Sequence, residues 1–163
     1  FFGIISDNFS RGYAFEFLRL GRFVERADMI TRIIDSICTT EKKEGTIDLS
    51  TLEWVNLLKT LSAHQAYRKV SRGEIEKDSV INFLFKDDSF PRSIYRCLTI
   101  IHKSFLNLPK NSDAILFIKK FLANLNSSRI GKYDNNKIRS FVDSTQKKIS
   151  SIDQIIQKSY FNN

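Results

Sequence analysis

Apolar residues recur at intervals of three and four along most of this 163-residue chain, the spacing of helices that each bury one face. Stretches of this period dominate, which predicts an all-α fold, a helical bundle of about five to six helices led by one long N-terminal helix. The densest stretch runs from Gly12 to Thr40. Asp7, Asn8 and Ser10 each suit the start of its helix, and the helix is expected to end near Thr40. On a helical wheel Phe15, Phe23, Ile30, Ile33 and Ile37 share one sector, and Phe17, Leu20 and Val24 cover a second. Such a helix should touch neighbours on more than one side. Glu25, Asp28, Arg32 and Asp35 lie away from the main sector, spaced for Asp28–Arg32 and Arg32–Asp35 pairs.

The remaining elements follow in order. Glu41 to Ser50 is polar and contains a glycine, a loop whose Ser50 or the following Thr51 can cap the next helix. That second helix is expected from Leu52 to Val70, with Trp54, Leu57, Leu58 and Leu61 inward. After a loop at Ser71 to Glu76, the cluster Val80, Ile81, Phe83, Leu84 and Phe85 makes a short apolar helix. Lys86 to Phe90 breaks it, and Pro91 suits the first position of the next helix. Ile94, Cys97, Leu98, Ile101 and Phe105 give that helix its seam, closed by Leu108-Pro109. Ser112 or Asp113 caps a helix faced by Ala114, Ile115, Ile118, Phe121, Leu122 and Leu125. A turn-rich stretch from Asn126 to Asn136 precedes a last helix, Asn136 to Tyr160, with a seam from Ile138 through Ile156. There is no internal repeat and no low-complexity segment, so residues 1–163 read as a single helical domain.

Three arginines disturb this pattern. Arg19, Arg22 and Arg26 share a stripe that is apolar before them, at Phe15, and after them, at Ile30, Ile33 and Ile37. A guanidinium facing a core is costly unless it is paired or faces a wet cleft. Glu16 and Glu25 lie three residues from Arg19 and Arg22. Arg26 has no acid three or four residues away, so its partner must come from another helix or from a ligand. Two readings stand: an internal ion-pair network, or a pocket in which arginine forks hold a carboxylate or phosphate. The second helix repeats the motif, its apolar face turning polar at Gln65 and Arg68 with His64 on the margin. Arg92 stands near a helix start, where the dipole disfavours a cation, which hints at an acid or ligand partner. The candidate anion-binding set is therefore Arg19, Arg22, Arg26, Arg68 and Arg92, with Glu25 the candidate acid or base. Guanidiniums beside Glu25 would hold its carboxylate ionised, which makes it a poor general base near neutrality.

Composition narrows the classes. Hydrophobic residues form 42% of the chain and phenylalanine occurs 14 times, too apolar for a disordered tail. The formal charge is +8, but the basic residues are scattered, with no block and no alternation with aromatics of the kind that stacks bases. Nucleic-acid binding therefore ranks last. Cys38 and Cys97 are the only cysteines and form no CxxC, so neither a disulfide framework nor a zinc site is expected, and the default setting is cytoplasmic. His64 has no second histidine at ligand spacing; no metal or other cofactor is implied. No apolar run reaches membrane-spanning length.

Three pieces carry a resemblance: FLRLGRFVERADMITRIID at Phe17 to Asp35, Trp54 followed by LLKTLSAHQAYRK, and VINFLFKDDSFPRSIYRCL at Val80 to Leu98. In order and spacing the chain resembles the C-terminal portion of the alpha-E domain family, a group of bacterial helical proteins. The resemblance covers the first two thirds, and the final third matches only as a generic helical end. It carries over Gly21, Arg22, Glu25, Arg26, Asp28 and Arg32, then Tyr67 and Arg68, then Pro91, Arg92 and Ser93. It implies a longer protein with a related helix ahead of this chain. It also implies partners of ATP-grasp and transglutaminase-like type, hence a helical accessory domain in a peptide ligation or peptide-modification system. The alternative is an enzyme, or enzyme half, that holds an anionic small molecule or peptide through the arginines.

Overall fold

In the computed structural model, described for residues 10–39, 51–71, 73–110 and 112–161, seven α-helices form the fold and no strand occurs among the described residues. They are α1 Tyr13–Thr39, α2 Thr51–Thr60, α3 His64–Val70, α4 Lys77–Lys86, α5 Ile94–Leu106, α6 Ser112–Ser127 and α7 Asn135–Ile156. A 3-10 turn at Ile130–Lys132 precedes α7, and a π-turn at Gln157–Phe161 follows it. The helix starts proposed at Asp7 and Asn8, the loop 41–50 with the Ser50 cap, and the side chain of Cys38 lie outside the described residues.

The long helix α1 packs against α5 on one side and α7 on another, as its two apolar sectors require. Its buried seam is Leu20, Phe23, Ala27, Ile30 and Ile34. Phe17, Val24, Ile33 and Ile37 are partly buried beside it, and Phe17 meets the rings of Tyr160 and Phe161 at 5.1 and 5.5 Å. Each fully buried Leu or Ile contributes about 1.5–3 kcal/mol. The α5 seam is Ile94, Cys97, Leu98, Ile101 and Phe105, as its periodicity predicts, with one addition, the buried Ser104. In α7 the buried positions are Ile138, Val142, Thr145, Ile149 and Ile152, and the Thr145 hydroxyl donates to the Phe141 carbonyl at 2.8 Å.

Two boundaries depart from expectation. The helix expected from Leu52 to Val70 breaks in two. The Ser62 amide donates to the Lys59 carbonyl and the Ala63 amide to the Leu58 carbonyl, 2.9 and 2.7 Å, with Ser62 at φ 52°. This is a Schellman termination, with buried Ala63 and Leu58 as its apolar contact and a serine where glycine is usual. Second, Pro91 does not open α5. Ser93 is the N-cap, its hydroxyl accepting from the Arg96 amide at 3.0 Å. Its own hydroxyl hydrogen is given to the Asp87 carbonyl, so Pro91 and Arg92 stay in the turn.

Cations close other ends. Lys86 at the end of α4 donates its ammonium to the carbonyls of Asn126 and Ser128, just where α6 ends. The 3-10 turn lies on α4, held by a 2.8 Å pair between Lys132 and Asp78. Gly131 is buried there so tightly that a Cβ would stand 2.6 Å from the Asp78 carbonyl and nearer still to the Asn82 amide. Gly131→Ala should therefore cost about 1–3 kcal/mol through overpacking. The check is a lower urea midpoint at unchanged m-value.

His102, on α5, has a buried Nε2 with no hydrogen-bond partner among the described residues. Burial, and then the nearby Lys119, push its pKa below the ordinary imidazole value. The fold thus favours the neutral ring, so the unfolded chain takes up a proton first. Stability should fall as pH drops through about 6.5, where the unfolded imidazole charges. His102→Leu should flatten this acid limb, seen as a smaller loss of urea midpoint between neutral and mildly acidic buffer than the parent shows.

Candidate functional site

The arginines of α1 sit one residue before seam positions Leu20, Phe23 and Ala27, about 100° round the helix. They flank the core rather than enter it, and Arg19, Arg22 and Arg26 are all half-buried. The sector drawn through Phe15 and Ile37 is displaced toward them, because both side chains are only partly buried.

Arg19 belongs to a structural network. Its Nη2 lies 3.0 Å from Glu16 Oε2, its Nε donates to Ser104 Oγ at 2.7 Å, and Asn107 Nδ2 donates to Glu16 Oε1 at 2.8 Å. Glu16 is 5% exposed; Asn107 serves its Oε1, while its Oε2 has the Arg19 charge beside it and no hydrogen bond among the described residues. The network ties the start of α1 to the end of α5, under a cleft of about 570 Å³ that Arg11, Tyr13, Phe15 and Asn107 also line. The Glu16–Arg19 pair was legible from its spacing. Ser104 and Asn107 were not, since nothing in a lone serine or asparagine marks it as a distant partner.

The second group forms where α1 meets the turn between α4 and α5. Arg26 directs Nη1 to the Pro91 carbonyl at 3.4 Å. The next residue, Arg92, donates from Nη1 to the Leu61 carbonyl at 2.8 Å. Leu61 is where α2 breaks, so Arg92 satisfies one of the carbonyls that a helix end leaves open. The Phe23 ring lies 4.9 Å from the Arg26 guanidinium and 5.7 Å from that of Arg22. Burial, then Arg22, and lastly Arg92, lower the pKa of Arg26, while Cys97 acts the other way; no carboxylate is among the described groups that act on it.

The turn that carries Arg92 is tightly bonded. Asp87 Oδ1 accepts from Ser89 Oγ at 2.6 Å and from the Phe90 amide at 2.8 Å, and Asp88 pairs with Arg96 at 3.3 Å. Phe90 stacks on Phe83 at 4.8 Å, and Phe83 meets buried Tyr67 edge-on at 5.3 Å. The Tyr67 hydroxyl donates to Ser79 Oγ at 2.9 Å. An aromatic row thus runs from α3 through α4 to the turn.

The other candidates stand apart. Arg68 is exposed on α3. Glu25 is exposed on α1, turned away from the inward side that its neighbour Arg26 faces. Asp28 and Arg32 form the expected surface pair at 2.6 Å, and Asp35 lies 3.9 Å from Arg139 of α7. Cys97 lies near Arg26, but burial pushes its thiol up to about 12, so it stays protonated. No cluster of three or more side chains able to hold a metal occurs among the described residues.

A family model described as a predicted alpha-helical domain with a conserved ER motif matches residues 1–161. The chain belongs to this Alpha-E family. The match runs through the final third as well, beyond the portion that the three motif pieces cover. This Alpha-E chain contains a single Glu-Arg dipeptide, Glu25-Arg26. Its two side chains are parted, the acid toward solvent and the arginine toward the Pro91 turn. No curated protein and no solved structure matches the Alpha-E chain. No helix among its described residues is long and apolar enough to cross a membrane.

Arg92→Gln should destabilise this Alpha-E fold by about 1–3 kcal/mol, because it strips the Leu61 carbonyl of a charged donor. Arg68→Gln should change stability by less than about 0.5 kcal/mol. Urea titration of both variants beside the parent checks the contrast.

Proposed function

We propose that this chain is a cytoplasmic helical accessory domain in a bacterial peptide ligation or peptide-modification system, working with an ATP-grasp or transglutaminase-like protein. One observation carries the reading: the three motif pieces, far apart in sequence, converge on one corner. Arg26 of the first reaches Pro91 of the third, and Arg92 of the third reaches Leu61 of the second. Motif residues of several kinds hold that corner in shape. Tyr67 anchors α3, Ser93 caps α5, and Arg92 closes α2. A rigid corner built from motif residues suits a surface that another protein reads.

A second reading is an enzyme, or enzyme half, that holds a carboxylate or phosphate through Arg19, Arg22, Arg26, Arg68 and Arg92. The crowding of Arg22, Arg26 and Arg92 favours it. The solvent-facing position of Glu25 weighs against that residue as its acid or base.

The test is a pull-down of the tagged full-length protein from its native host, washed at raised salt, with partners identified by mass spectrometry. The accessory role predicts recovery of an ATP-grasp or transglutaminase-like protein. Repeated recovery of neither sinks it.

A further inference from the structure

We propose that Arg26 and Arg92, with Arg22 alongside, form a receptor for a phosphoryl group at the corner where α1 meets the 87–93 turn. This rests on the anion-binding reading above. It extends that reading by naming the ligand and its holders, and by leaving out Arg19 and Arg68. It needs no chemical step at the site.

Placement comes first. Arg26 reaches the carbonyl of Pro91, the residue bonded to Arg92, so its guanidinium stands beside the backbone from which the Arg92 side chain departs. Arg22 precedes Arg26 by one helical turn, and both guanidiniums approach the same Phe23 ring. Backbone oxygens also orient Arg92 closely, at 2.8 Å, and Arg26 more loosely, at 3.4 Å. One nitrogen of Arg26 is directed to the Pro91 carbonyl and one of Arg92 to the Leu61 carbonyl. A guanidinium has five N–H donors, so each keeps donors for an incoming oxyanion. Because the turn is cross-bonded by Asp87, Ser89 and Ser93, little motion has to be frozen on binding.

Charge decides the ligand. Arg22 and Arg92 both oppose the charge on Arg26, and no carboxylate is among the described groups that act on Arg26. An anion at the corner relieves that repulsion, and a dianion relieves more of it than a monoanion. A phosphoryl group also offers three oxygens to two forks, where a carboxylate offers two. Arg19 already spends its fork on Glu16 and Ser104, and Arg68 lies exposed on α3.

The experiment is a titration of the chain with sodium phosphate at about pH 8, where the phosphoryl group carries close to two charges. Sodium chloride holds the ionic strength, and the arginine Nε–H resonances are followed by NMR. A parallel titration uses sodium acetate. The expected result is a saturable shift at Arg26 and Arg92, with phosphate about tenfold tighter than acetate. Arg26→Gln should weaken phosphate by about tenfold or more, and Lys147→Gln, at an exposed position on α7, should leave it unchanged. Arg26→Lys, which keeps the charge and loses the fork, should also weaken it, and serves if the Gln variant does not fold. Acetate binding as tightly as phosphate overturns the phosphoryl assignment and leaves the anion reading standing. No saturable shift with either anion overturns both. Undiminished phosphate binding in folded Arg26 and Arg92 variants places the anion elsewhere and overturns the proposal.

Discussion

A guanidinium leaves water at little cost only where oxygens replace the water it gives up. That constraint organises one whole side of this fold. Helix α1 must bury a seam against both α5 and α7, and its arginines stand along the edge of that seam. Arg19 finds a carboxylate and a hydroxyl, whereas Arg26 finds a backbone carbonyl from a distant turn. Arg92 meets the same demand in reverse, since its carbonyl exists to be capped only because α2 stops at Leu61. Helix break, turn and arginine are thus one construction.

The helical architecture was legible because burial sets the period of apolar residues. The α5 seam appears in the structure as its spacing predicts, and α7 keeps the same inward positions with Phe141 and Ile156 at its margin. For α1 the period was right and the phase slightly off. Phe15 and Ile37 carry large apolar side chains near the helix ends, where fewer neighbours cover them. The true seam passes through Ala27, whose small side chain gives little weight in a pattern yet is fully buried.

What stayed hidden was tertiary. Ser62 carries no local mark of a left-handed residue, since glycine or asparagine is the usual signal, so one long helix was the natural expectation. Pro91 suits a helix start, but Ser93 competes by offering a side-chain cap together with a bond back to Asp87. The misfit of Arg92 with a helix dipole did point to a partner, and that partner is a carbonyl some thirty residues earlier rather than an acid. Sequence spacing finds partners within a helix turn; it has no means of finding a backbone oxygen across the fold.

The aromatic contact between Phe17 and the Tyr160–Phe161 pair has a topological consequence. It sets the opening turns of α1 beside the closing turn after α7, and the Tyr160 hydroxyl fastens that closing turn to the Pro109 carbonyl at 2.7 Å. A segment fused ahead of α1 and another fused after Phe161 would emerge at the same pole of the bundle. Two modules joined directly to these two ends would then be neighbours by construction, tethered to a common anchor.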